Sequence, residues 1–386
     1  MFTKALDYKN DTFRYDDNFT FNACVGKNGY NEMNDYEQGY DCAIKRLLRS
    51  ATRDFDETLV YPIVFMARHR IELFLKNNIA IVSKCKFIKE NLLKLQETET
   101  SHDLQKLWDK LEELCNTDKR LVKYLAPIKP FIANYFDIDP TGQTFRYPYD
   151  TENTHHLDDL LFHINLKVFK KKYLQMTKKM EPMNFMSLFI LSEYEQGTFT
   201  SFCSRSEIEA ISKELPPYSE WSNMSFKKLK TKLEKKHGLS SNQLSKILNI
   251  IKKHKEFSIR IDQLNPVNEI NTKDISFFLQ CYKELNSISG DKNFNDLKSE
   301  LVHKICKTLK KDTICAWIAF EELGYFMHSY SEEYEKLISS YKSTDAFNDD
   351  FDFFVHCRIF KSGRELDNVK LGMKKCGQIH LLGVMP

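Results

Sequence analysis

Chain breakers are scarce in this sequence: glycine occurs 12 times and proline 10 times in 386 residues. Few turns are therefore encoded, and with 29 Phe and 18 Tyr to bury the composition favours helices packed through large side chains. An excess of charge of one sign is also lacking, because 57 basic residues stand against 54 acidic ones for a net of +3. Attraction to nucleic acid cannot be argued for the whole chain, only for regions of it. No apolar run reaches the about 18 residues that a membrane helix needs, since the most apolar stretch, Leu59 to Ile81, carries Arg68, His69, Arg70, Glu72 and Lys76. Met1 to Lys27 lacks the basic-then-apolar pattern of a secretory leader. A soluble, cytoplasmic protein with no membrane partner is expected. The ten cysteines include no C-x-x-C pair and read as reduced core thiols.

Familiar catalytic signatures are missing too. There is no G-x-x-x-x-G-K, G-x-G-x-x-G, G-x-S-x-G or H-E-x-x-H, which argues against phosphate-loop hydrolases, Rossmann dehydrogenases, α/β-hydrolases and zincins. His303-x-x-Cys306 with Cys315 is the best fragment of a metal set, but its apolar helical surroundings give it a structural reading. Glu234-Lys235-Lys236 matches the minimal E-x-K of DNA nucleases, yet it falls in a lysine-rich helix and reads as a solvated face. Neither a metal nor a cofactor is expected.

With 42% hydrophobic and 29% charged residues the chain should fold, and at roughly 150 residues per domain it should form two or three domains. The expected class is mainly α. Residues 1–35 alternate apolar and polar around Phe19 to Val25 and read as an N-terminal arm or hairpin. Residues 36–180 read as a helical domain. Tyr40 to Leu48 and Leu59 to Ile81 follow helical periods, Ser101 can cap the helix of Leu104, Leu107, Trp108, Leu111 and Leu114, and Pro127 and Pro130 should break a fourth. Asp137 to Asp150 must be a loop, and a further helix is expected from Thr154 to Met180. Residues 181–265 form a basic helical region, with a boundary expected in 181–224 and a glycine stop at Gly238 between two helices. Residues 266–386 hold three more helical patterns, near 273–287, 294–310 and 312–341. Beyond them Phe353 to Phe360 and Gln378 to Val384 look strand-like, giving minor β at the C-terminal end.

The charge is segregated: Lys167 to Lys255 carries 18 basic and 8 acidic residues, while Ser331 to Asp352 has 7 acids against 2 lysines. Ten lysines crowd Ser225 to Lys255. Of these, Lys227, Lys228, Lys230, Lys252 and Lys253 are candidate phosphate-binding residues. The near absence of arginine and of interleaved aromatics makes phosphate attraction, not base reading, the expected role.

A second candidate site lies on the Leu59 to Ile81 helix, where Arg68, His69, Glu72 and Lys76 recur at spacings of 3 and 4. Ionisable groups on so apolar a helix must pair with one another or with neighbouring elements, and Ser101-His102-Asp103 and the Arg146 to Asp150 segment can supply partners. Such a cluster is either a structural network or a site.

The stretch Tyr61-Pro-Ile-Val-Phe-Met-Ala-Arg-His-Arg-Ile-Glu-Leu-Phe-Leu-Lys76, followed by Ser101-His-Asp-Leu-Gln-Lys-Leu-Trp108, resembles the helical signatures of HEPN-like proteins over residues 36–180. The resemblance implies an up-and-down bundle of four or five helices, often dimeric, in bacterial toxin or antiviral-defence systems. It implies a homodimer or hetero-oligomer with a protein partner from the same system. Many such proteins are metal-independent ribonucleases with an Arg-x(4–6)-His motif. This chain departs from that motif, its nearest approaches being adjacent Arg68-His69 and the wider Arg146 to His155 pair. In such chemistry His69 and His102 would be base and acid, with Arg68 and Arg146 on the phosphate. Glu72 or Asp150 would orient an imidazole or pair with an arginine, and Lys76 would bind substrate. The functional expectation is therefore an effector acting on RNA. The alternatives are a non-catalytic interaction or regulatory protein, and a nucleotide-sensing subunit.

Overall fold

The computed structural model describes residues 12–29, 32–92, 94, 100–158, 160–287 and 294–386. Among them the regular structure is helical apart from one isolated antiparallel bridge between Tyr149 and His155. The chain divides into two compact units, residues 1–192 and 193–386.

The first unit contains α1 (Met33–Arg53), α2 (Val60–Glu90), α3 (Leu104–Leu114), α4 (Lys119–Leu125), α5 (Lys129–Phe136) and most of α6 (Leu166–Glu195). At 31 residues, α2 runs about 46 Å, and it packs against both α1 and α3. It is buried on several sides, through Ile63, Ala67, Ile71, Phe74, Leu75 and Val82 among others, and ends on Asn91 in the left-handed region at φ 49°. α3 turns all five of its expected apolar residues inward. Its cap is Asp103, whose carboxylate accepts from the Gln105 and Lys106 amides. Ser101 lies two residues further out and accepts from Asp103 N–H. Pro127 and Pro130 do interrupt the next segment: α4 gives way to a 3-10 turn at Ala126–Ile128 before α5 begins.

The helix expected at Thr154 to Met180 is displaced. Asp150 accepts from the amides of Glu152 and Thr154 at 2.9 Å each, and this turn competes with helix formation. Asn165 accepts from Lys167 and Val168 N–H and starts α6 at Leu166, which then runs through Pro182. A buried polar network ties this helix to α1 and α2. The Arg70 guanidinium donates to Tyr173 and Thr177 of α6 at 2.9 and 2.7 Å and pairs with Glu37 and Asp41 of α1. Asn78 of α2 donates to Asn184 and accepts from Ser187.

The second unit contains α7 (Arg205–Ser212), α8 (Met224–His237), α9 (Ser241–Lys253), α10 (Lys255–Ser258), α11 (Thr272–Asn286), α12 (Phe294–Thr308), α13 (Lys311–Tyr325), α14 (Glu333–Lys342), α15 (Asp345–Asp349), α16 (Phe351–His356) and α17 (Glu365–Lys375). α7 to α10 enclose one apolar cluster, and α11 to α17 a larger one. Gly238 at φ 65° ends α8, and Ser240 caps α9 in a reciprocal box with Gln243. In the larger cluster α13 is buried almost all round, and α17 crosses it closely: a Cβ on Gly372 would lie 1.9 Å from the Phe320 carbonyl oxygen. Arg205 is the polar centre of the smaller cluster. Its guanidinium binds Glu332 at 2.7 Å and Glu256 at 2.5 Å and lies over the rings of Phe257 and Tyr330.

The strand-like readings of the ends give way to helix. Asp350 accepts from Phe353 N–H and starts α16, which buries the adjacent Phe354 and Val355; burial of neighbours in sequence is incompatible with a one-sided strand. Ile379–Val384 is a 3-10 helix. It is anchored by the buried Gln378, whose amide accepts from Val267 N–H and donates to the Asn265 and Cys376 carbonyls. At the other end, residues 12–29 form turns with short 3-10 segments at Phe19–Phe21 and Gly26–Asn28, their aromatics exposed; the rest of the expected arm, residues 1–11, 30 and 31, lies outside the described residues. The pattern expected at 312–341 is two helices, α13 and α14. All ten cysteines are free thiols, and no helix among the described residues is long and apolar enough to cross a membrane.

Candidate functional site

The stripe on α2 resolves into two environments. Arg68, Glu72 and Lys76 follow one another at i, i+4 and i+8, and the Ser101-His102-Asp103 turn lies over them. Arg68 is 1% exposed. Its Nε donates to the Asp139 carbonyl at 3.1 Å, one terminal nitrogen to the carbonyls of Pro140 and His102, and the other to Glu72. The α-carbon of Gly142 at φ 85° passes so close that a Cβ there would sit 3.2 Å from the guanidinium carbon. Arg68 thus clamps α2 to the start of α3 and to the loop after α5. With its donors used inside the fold, it offers no surface to a phosphate, contrary to the role expected from the sequence.

Glu72 is the junction. One carboxylate oxygen faces Arg68, and the other accepts from Lys76 Nζ at 2.9 Å and faces His102 Nδ1 at 2.7 Å. Burial pushes its pKa up, but the bonds from Lys76 and His102 and the charge of Arg68 outweigh this and hold the carboxyl below its ordinary range. Lys76 is therefore engaged as a partner of Glu72 and is not left for substrate. The His102 side chain is 69% exposed. A carboxylate on Nδ1 selects the tautomer with the proton there and leaves Nε2 as the free basic nitrogen.

His69 is held elsewhere, edge-on to Tyr40 at 4.8 Å and stacked on Phe65 at 6.1 Å between centroids. It follows Arg68 directly, about 100° further round the helix, and desolvation lowers its pKa. Arg146 is exposed with its guanidinium carbon 5.0 Å from the Tyr147 ring centroid. Asp150 is the turn-forming carboxylate of the preceding section, its pKa lowered by the Thr154 and Glu152 amides. Neither is bonded to the α2 cluster. The structure so brings together Arg68, Glu72, Lys76 and His102, and leaves His69, Arg146 and Asp150 in other roles.

The lysines of α8 and α9 form the second candidate. Lys236 pairs with Glu214 at 2.8 Å and Lys255 with Glu335 at 2.6 Å. Lys227, Lys228, Lys230, Lys232, Lys235, Lys246, Lys252 and Lys253 have no carboxylate in ion-pair reach among the described residues, and all are exposed or half-buried. Charge here is uncompensated, whereas Lys304 is paired with Glu284 and Lys342 with Asp312. Among the described residues no group of three His, Cys, Asp or Glu side chains is placed to hold a metal ion; His303 Nδ1 faces Asp352 at 2.9 Å, while Cys315 is fully buried. Sequence reasoning passed over Arg70 and Arg205, whose partners are distant in sequence. It also passed over Tyr218, Trp221 and Phe226, which line a groove with Lys230 and Lys252; the signal available was their spacing after Pro216-Pro217.

No protein-family model matches this chain, and no curated protein or solved structure matches it significantly.

Proposed function

We propose that this protein acts on RNA, as a HEPN-like helical effector that holds the strand on the lysine face of α8 and α9. The observation that carries the reading is the set of eight lysines on two adjacent helices that have no acidic partner among the described residues. Like charges gathered without counterions are unfavourable unless a polyanion or salt covers them, and released counterions make phosphate binding favourable. Lysines act as point charges, so this face follows the backbone and does not read sequence. The setting proposed is a bacterial antiviral-defence or toxin system, with a protein partner from that system and a homo- or hetero-oligomeric assembly.

A second reading, metal-independent cleavage of that RNA, is favoured by the Glu72–His102 contact. An exposed imidazole oriented by a buried carboxylate can take the proton of a ribose 2′-hydroxyl as O2′ attacks phosphorus, or return one to the departing 5′-oxygen. Arg68 and Lys76 take part only by holding Glu72 ionised.

Incubation of the protein with total RNA and tRNA in EDTA, with gel-shift analysis in parallel, tests both. Binding that is lost in Lys227→Ala/Lys228→Ala/Lys253→Ala supports the first reading. Cleavage by wild type and not by His102→Ala supports the second. Binding without cleavage removes the second, and absence of binding removes both in favour of a non-catalytic interaction protein.

A further inference from the structure

The groove between the segment before α8 and the face of α9 combines three features that the lysine face alone lacks. It is open and encloses about 560 Å³, within the range of small-ligand sites. Its wall is aromatic: Trp221 stacks on Phe226 with centroids 4.8 Å apart and planes within 11°, and Tyr218 meets Trp221 edge-on at 5.0 Å. The indole is fixed by its Nε1–H, which donates to the Pro216 carbonyl at 3.1 Å, while Tyr218 stays 43% exposed. Lys230 and Lys252 contribute cationic ends to the lining, Lys252 Nζ lying over the Tyr218 ring at 5.7 Å from its centroid. Hydrogen-bonding capacity comes from Ser222 and Asn249 on the lining, and the Asn249 amide has no partner among the described residues.

We propose that this groove is the nucleobase subsite of a single-stranded RNA track: an unpaired base stacks on the exposed Tyr218 ring, beside the Trp221 indole, while its flanking phosphates meet Lys230 and Lys252. The inference rests on the RNA reading above and specifies the substrate as single-stranded. Charge complementarity selects the occupant. An acidic peptide would satisfy the lysines but leave the exposed Tyr218 ring unused, and duplex RNA keeps its bases stacked inside and cannot present one to it.

Trp221 makes the test direct. The other two tryptophans, Trp108 and Trp317, are fully buried, so a quench of indole fluorescence reports on the groove. The full chain is titrated with labelled oligouridylate and with a duplex RNA of matched charge, following anisotropy and tryptophan emission. Binding of the oligouridylate is expected to quench emission, and Trp221→Phe should abolish the quench while binding persists. Tyr218→Ala should weaken the oligouridylate about tenfold and the duplex less than about twofold, with an unchanged circular dichroism spectrum. If Tyr218→Ala leaves oligouridylate affinity intact while the lysine triple variant loses it, the RNA reading stands and the groove inference is overturned. If polyglutamate displaces the oligouridylate and quenches equally, the groove is a peptide site and the inference fails. If wild type binds no RNA, both fall.

Discussion

The guanidinium of Arg68 has four acceptors in the fold, the carbonyls of Asp139, Pro140 and His102 and the carboxylate of Glu72. Removing it takes a donor from the buried Asp139 carbonyl and from those of His102 and Pro140, the last of which keeps Leu104 N–H, and strips Glu72 of one buried counter-charge, so Arg68→Ala should cost about 3–5 kcal/mol in urea denaturation. His102→Ala removes an exposed ring from the same junction and should cost no more than about 1 kcal/mol. A result in which the two variants are equally stable would mean that Arg68 is not the clamp described. A third residue gives a pH dependence. Burial raises the Glu332 pKa, but the bonds from His254 and Arg205 prevail and hold it well below the ordinary carboxylate range. The His254 ring is set for this, because its Nδ1 accepts from Phe257 N–H and its Nε2 faces Glu332 at 2.9 Å. Since the folded pKa is depressed, the stability Glu332 contributes is present above its unfolded value of about 4.3 and is lost as pH falls through that value towards the folded one. Glu332→Gln should be less stable at neutral pH and show a flatter acid limb below about pH 4. At this scale the sequence displays which ionisable groups interrupt an apolar helix, but not whether their acceptors are side chains or carbonyls. Three of the four Arg68 partners are backbone oxygens, and no spacing rule marks those.

Among the elements, Gly372 and Gly39 make opposite demands. Gly372 lets α17 approach α13 until the Phe320 carbonyl fills the space a Cβ would need, whereas Gly39 on α1 faces open space. Gly372→Ala must push two buried helices apart and is expected to lose roughly 1–3 kcal/mol or more. Gly39→Ala meets nothing and reduces the freedom of the unfolded chain, so a gain of about 0.4–1 kcal/mol is expected. Thermal melts of the two single variants check both signs. Helices with regular apolar spacing and explicit stops were legible in the sequence: α3, the break at Pro127 and Pro130, and the α8–Gly238–α9 hairpin stand where the residues indicate. The C-terminal tail was not legible, because a run such as Phe353-Phe354-Val355 satisfies a strand and a short buried helix equally. The choice was made by Asp350 capping and by the core that α13 provides. The start of α6 was lost to side-chain–backbone bonds from Asp150 and Asn165, which outcompete propensity over a few residues.

At the scale of the whole molecule the segregation of charge was countable from composition, and it is the most direct route to a functional test. What the count could not show is which lysines are neutralised within the chain and which aromatics share their surface. Lys236 and Lys255 are paired, the latter with Glu335 of the acidic 331–352 stretch, and the remaining eight supply the uncompensated field. If about five of them engage phosphates of single-stranded RNA, the logarithm of affinity should fall against the logarithm of salt with a slope near −3.5. Each exposed lysine removed, as in Lys253→Ala, should make that slope shallower by about 0.7. Tyr218→Ala should lower the affinity at every salt concentration and leave the slope unchanged, because stacking releases no counterions. Anisotropy titrations across a salt series therefore separate the two contributions. A slope near zero would show that the lysine face does not carry the binding, whatever the affinity. A slope that changes with Tyr218→Ala would show that the aromatic wall acts by positioning the phosphates.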